Sequence, residues 1–163
     1  SNEELYPIIY RQHGYAEDTE GAGKYRGSLG LVREIEFVGD EPAAMQLRVD
    51  RRQFPPFGIH GGQSGTPTRA TINPDTENRD VGKSTITLNK GDVFRVVVAG
   101  AGGYGNPFER SVDMVLDDVL KEKISTRRAR EAYGVVIDEN SMKVDEGETQ
   151  RLRETLANDH NKS

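Results

Sequence analysis

The chain has 163 residues, a formal net charge of −5, 34% hydrophobic residues and a mean hydropathy of −0.72, so it has length for one domain with a thin core. No apolar run approaches the ~20 residues of a spanning helix, and Lys and Arg are scattered among acids, which excludes an electrostatic footprint for nucleic acid. The lack of cysteine excludes disulfides and thiolate chemistry and fits a cytoplasmic protein.

Strand-like sequence begins almost at once, at Leu5–Tyr10 (LYPIIY), with Pro7 pointing to an edge position. Because Ser1-Asn2-Glu3 carries no methionine, the chain reads as a piece excised from a longer protein. The loop AEDTEGAGKYRGSLG follows; it is either a binding loop around Lys24, Tyr25 and Arg26 or a turn system delivering the next strand, and the second is favoured. Leu29–Val38 places Leu31, Ile35 and Phe37 on one face, and Ala44–Asp50 does the same with Met45, Leu47 and Val49. Their short Gly39–Pro42 connection predicts an antiparallel hairpin.

Asp50–Pro67 (DRRQFPPFGIHGGQSGTP) has neither strand nor helix period; it predicts a long ordered loop that serves function, an interface or a plug at one end of the fold. Asn73–Gly82 is polar and expected to project into solvent, after which Ser84–Leu88 alternates and turns through Asn89–Asp92, predicting a second hairpin. In Asp92–Pro107 (DVFRVVVAGAGGYGNP) a strand apolar on both faces, hence central, runs into a glycine loop. Gly100, Gly102 and Gly105 spell G-x-G-x-x-G, but Asn106-Pro107 interrupts before a helix can open at the third glycine, so the loop reads as a structural turn rather than a dinucleotide site.

Beyond Pro107 the period changes to helical: Val112, Val115, Leu116, Val119 and Leu120 form one stripe behind Ser111 as cap. A second helix is capped by Ser125 or Thr126, carries Ala129, Ala132 and Tyr133, and ends at Gly134; Val135–Ile137 adds a short strand. From residue 139 to 163 only Leu152 and Leu156 offer a weak helical stripe, so this polar tail is expected to be mobile or to dock on a partner. The fold class is α+β: a β-rich antiparallel sheet or sandwich (1–107) with long glycine loops, then helices (111–134).

No complete catalytic constellation emerges. His13, His60 and His160 lack a second ligand at metal spacing. Ser64 is not in a nucleophile elbow, Gly82-Lys83-Ser84 lacks the first glycine of a phosphate loop, and Asp117-Asp118 reads as a solvated charge pair. Arg51 and Arg52 either hold an anion or bridge loop carbonyls and acids.

Four blocks read together, GAGKYRGSLGLVREIEF, DRRQFPPFGIHGGQSGTP, GDVFRVVVAGAGGYGNPFER and STRRAREAYGVVI, resemble the C-terminal part of the hydantoinase B / 5-oxoprolinase family, which includes N-methylhydantoinase subunits and ketone carboxylase subunits. The likeness spans Tyr6–Asp138, taken as the domain, and leaves the tail without resemblance. It implies an ATP-dependent opening of a cyclic amide: an A-type partner subunit or domain phosphorylates the amide oxygen, and a divalent metal on the B-type protein delivers water. It also implies that the metal ligands belong to an N-terminal remainder of the same polypeptide, so no catalytic, cofactor or metal residue is assigned here. A ketone carboxylase domain and an independent β-rich binding module are the alternatives. The glycine-loop residues Arg51, Arg52, Phe54, His60, Gly61, Gly62, Gly102, Gly103 and Tyr104 are expected to wall a cavity or form an interface; Ala101 stands where relatives often carry glycine.

Overall fold

A computed structural model gives the fold and describes residues 6–160, with side chains to residue 157. Leu5, the expected start of the first strand, lies outside the described residues. Five antiparallel strands form the main sheet in the order β1-β2-β7-β4-β5: β1 is Ile8–Tyr15, β2 Leu31–Phe37, β4 Arg69–Ile72, β5 Arg79–Asp80 and β7 Val93–Val97. As its two apolar faces require, β7 is central, paired with β2 and β4. The edges are β5 and β1, and β1 carries a bulge between Tyr10 and Gln12.

Both expected hairpins are replaced by another pairing. β3 (Ala43–Leu47) pairs with β6 (Ser84–Leu88) in a separate two-stranded sheet, while β2 and β7 pair with each other. The reason lies in the two connections, which cross from one sheet to the other side by side. Gly91 N donates to the Phe37 carbonyl at 2.7 Å, Phe37 N to the Asp92 carbonyl at 2.9 Å, and Lys90 meets Asp40 at 2.6 Å. Asp92 also caps its own turn by accepting from Asn89 N. The small sheet lays Leu47, Ile86 and Leu88 onto Phe37, Ala70, Ile72 and Phe94 of the large one, making a sandwich core.

The helices form a second core. α1 (Val112–Leu120) buries Val115 and Val119, and α2 (Thr126–Tyr133) buries Ala129, Ala132 and Tyr133 against Ala22 of the first glycine loop. Ser111 stands at the N-cap of α1 without a capping bond, whereas Ser125 Oγ accepts from Arg128 N at 3.0 Å, and Gly134 ends α2 at φ 63°. Ile137–Asp138 (β8) pairs with Lys143–Val144 (β9). The polar tail then forms α3 (Glu146–His160), which docks on the domain itself. Thr149, 4% exposed, accepts from Val136 N, and Arg153 donates to the carbonyls of Tyr133 and Arg110. A segment with few apolar residues is thus seated by hydrogen bonds to main-chain groups ahead of α1 and at and just beyond the end of α2.

Candidate functional site: a main-chain junction with an aromatic face

Three irregular segments, around residues 19–27, 56–66 and 100–105, meet backbone to backbone. Gly21 N donates to the Ala101 carbonyl (2.8 Å), Gln63 N to Ala22 (2.7 Å), Gly103 N to Gln63 (2.9 Å) and Ile59 N to Gly103 (3.0 Å). Each amide and carbonyl needs a partner once buried, and here each segment supplies the other two. The approach is closer than any side chain permits: a Cβ on Gly100 would lie 1.8 Å from the Thr19 carbonyl oxygen, and one on Gly27 1.9 Å from that of Ala101. Ala101 keeps both of its main-chain bonds, to Gly21 and Ser28.

Tyr104 is the centre of the outer face. It bridges Tyr25 on one side and Ile59 on the other, with Tyr104 N donating to Tyr25 O (2.8 Å) and Tyr25 N returning the bond (3.0 Å). The Tyr25 and Tyr104 rings lie 6.3 Å apart and the His60 ring 5.0 Å from Tyr104. His60 adopts φ 51° and Gly61 φ 88°, a left-handed pair that turns the second segment back beside Asn106. Of the loop residues singled out from sequence, His60, Gly61, Gly62, Gly102, Gly103 and Tyr104 thus converge. Arg51, Arg52 and Phe54 do not; they line a separate groove of about 460 Å³ with Gln53 and Lys83. There Arg52 braces the loop, donating to the Val81 carbonyl and pairing with Asp80 at 2.5 Å, while Phe54 is 77% exposed and Arg51 adopts φ 60°.

Beneath the junction lie two buried charge clusters that pattern reading missed. Asp118 is 2% exposed and accepts a bidentate pair from Arg26 (2.8 and 3.0 Å) and a bond from Arg110 (2.8 Å). The solvated reading therefore fails for Asp118 and holds for Asp117, which pairs on the surface with Lys121. Burial alone would push the Asp118 carboxyl up, but the hydrogen bonds and charges of Arg26 and then Arg110 bring it below the usual carboxylate range. The signal was present: Asp118 falls three residues after Val115, on the apolar stripe of its helix. Glu20, 0% exposed, accepts from Arg128 (3.0 Å) and the Tyr133 hydroxyl (3.0 Å). Burial first, then the Glu20 charge, pushes the Tyr133 hydroxyl well above its ordinary range, so it stays a donor. Arg26 is thus structural, spent on Asp118, while Lys24 pairs with Glu109 on the surface and Tyr25 stands exposed beside it.

Among the described residues no group of three or more His, Asp or Glu is placed to hold a metal, and no helix is long and apolar enough to cross a membrane. His13 lies exposed on β1, His60 sits at the junction, and the side chain of His160 is outside the described residues.

Comparison with known proteins fits this architecture. An uncharacterised protein of Methanocaldococcus jannaschii is 36% identical over 154 residues, 93% of this chain and 27% of that protein. Among solved structures, the ATP-dependent caprolactamase of Pseudomonas jessenii matches with TM-score 0.79 and 30% identity, over 93% of this chain and 27% of that one. Acetone carboxylase in its nucleotide-free structure matches with TM-score 0.76 and 19% identity, over 96% of this chain and 26% of that one, a likeness of fold. These spans are longer than 1–138, so the resemblance runs on into the tail, contrary to the sequence expectation. The chain spans about a quarter of the length of these relatives. The Hydantoinase B/oxoprolinase family model matches residues 1–107, well over half of the 163, and the chain belongs to that family.

Proposed function

We propose that this chain is the C-terminal structural domain of a cytoplasmic, ATP-dependent enzyme that opens cyclic amides, and that it is inert by itself. The observation that carries the reading is the 30% identity and TM-score of 0.79 to an ATP-dependent caprolactamase over 93% of the chain, caprolactam being a cyclic amide. An unstrained amide is a poor electrophile; transfer of the terminal phosphoryl group of ATP to its oxygen would activate the carbon, a divalent metal would supply hydroxide to add there, the ring would open as the C–N bond breaks and the nitrogen takes up a proton, and phosphate would leave when water hydrolyses the resulting acyl phosphate. Among the described side chains the donors do not fit a metal: His13 and His60 lie on different elements, and carboxylates such as Asp118 and Glu20 are already committed to arginines. In this reading the metal ligands lie in an N-terminal remainder of the polypeptide and ATP on an A-type partner. The glycine junction walls the cavity or joins the domain to that remainder, and the domain extends over 1–138 with residues 139–163 as an appended polar tail.

The ketone carboxylase alternative has only likeness of fold behind it, at 19% identity. Two measurements test the proposal. Calorimetric titration of the isolated chain with Mn²⁺, Zn²⁺, ATP and N-methylhydantoin is expected to be silent; a stoichiometric, tightly held cation or steady turnover overturns it. Assay of the assembled enzyme with N-methylhydantoin, 5-oxoproline and caprolactam is expected to give ATP-coupled ring opening, and carboxylation of acetone in its place overturns the choice of substrate class.

A further inference from the structure

We infer that the row Tyr25, Tyr104 and Ile59, with His60 at its side, is the seat on which the remainder of the same polypeptide docks. The inference rests on the proposed reading of the chain as one domain of a longer protein, and it names the contact.

The three residues are bridge partners across three segments, so their side chains rise on one side of the junction, and they stay open to solvent: Tyr25 is 62%, Ile59 52% and Tyr104 46% exposed. A contiguous apolar patch of this size, of the order of the largest on a typical monomer, commonly marks a contact site. The platform beneath is rigid, since the amides of Tyr25, Ile59, Tyr104 and Gly105 are all bonded across the segments, so covering the row costs little ordering of the backbone. An exposed ion pair, Lys24 with Glu109 at 3.1 Å, flanks it, and tyrosine and histidine give the apolar face polar edges, the composition of a contact core with a polar rim.

Area decides between occupants. Partly exposed aromatic and branched side chains of this number leave on the order of 400 Å² to cover, half of the ~800 Å² per partner at which free proteins form standard complexes. A second copy or a separate subunit would be held weakly by so small a seat. A segment of the same polypeptide is held by it well, because covalent connection supplies an effective concentration of about millimolar. Relatives about four times as long, of which this chain matches 27%, carry that additional polypeptide.

The chain has no cysteine, which makes thiol labelling a clean probe. Tyr104→Cys and Ile59→Cys are each placed in the 163-residue chain and in the longer polypeptide, folding is checked by circular dichroism, and maleimide labelling of the peptide carrying the new thiol is timed by mass spectrometry. Labelling is expected to be at least 100-fold slower in the longer polypeptide, at any protein concentration and without other subunits. Equal rates overturn the inference. So does protection that arises only when the ATP-using subunit is added, or that grows with concentration in the isolated chain, since these assign the seat to a partner or to a second copy. Turnover of the assembled enzyme is read separately, so loss of the proposed activity and loss of this contact are told apart.

Discussion

At the scale of single residues, the buried carboxylates decide how the helices are held to the glycine junction. Asp118 → Ala would leave Arg110, 5% exposed, with its charge uncompensated, and the expected cost is about 3–5 kcal/mol in urea unfolding. Because the folded pKa of Asp118 is depressed, its contribution is complete above the unfolded value near ~3.9 and is lost as pH falls through the folded value. Stability therefore falls on acidification below about pH 5, and Asp118→Asn is expected to flatten part of that fall in a series of thermal melts at stepped pH. Tyr133→Phe removes one donor to Glu20 while Arg128 remains, so about 1–2 kcal/mol is expected to be lost, with no new pH dependence near neutrality. Asp118 shows how composition misleads. A doublet of acids on a helix is usually solvated, and only its place beside Val115 distinguishes the buried member from Asp117.

At the scale of elements, periodicity found the strands and helices and was blind to their partners. Alternation in β2, β3, β6 and β7 states which residues face a core, yet it carries no information on which strand lies alongside, and short connections made hairpins the default expectation. The β4 strand went unread because Arg69–Ile72 is four residues long, too short for its alternation to stand out from the polar loops around it. Likewise α3 has a weak apolar stripe, and its docking through Thr149 and Arg153 is a hydrogen-bonding arrangement that hydrophobic patterning does not register. Deleting residues 146–163 is expected to lower the melting temperature and expose the helical core to a hydrophobic dye, although this stretch looks dispensable by composition. The glycines divide in the same way. Gly100→Ala sets a Cβ against the Thr19 carbonyl and is expected to cost at least ~3 kcal/mol. Gly14→Ala, with nothing within 4 Å, is expected to change stability by less than ~0.5 kcal/mol in the same denaturation experiment.

At the scale of the whole molecule, the order of four long blocks identified the family where no single glycine motif could, and the α+β class followed from the change of period after Pro107. The candidate site was legible in half. The glycines announced a rigid loop, but which of them meet, and that Tyr25 and Ile59 join Tyr104 while Arg51, Arg52 and Phe54 turn elsewhere, depended on pairings between segments far apart in the chain. In the assembled enzyme, Arg52→Ala and His60→Ala separate these two places. Unaltered turnover and assembly for either would remove that residue from the cavity or the interface, whereas the inferred seat leads, for His60→Ala alone, to weaker docking of the domain on the rest of its own polypeptide, read as faster labelling of the Ile59→Cys thiol.

The junction also sets a timetable for synthesis. Gly21, Tyr25 and Ile59 take their partners from Ala101, Tyr104 and Gly103, so none of these bonds can close before the third segment has left the ribosome. Until then the first hundred residues carry unmatched amides and bare glycine backbone, and the emerging chain depends on whatever shelters it during that interval. Slowing translation before the third segment has emerged is thus expected to lower the soluble yield, while a pause placed after its emergence leaves it unchanged.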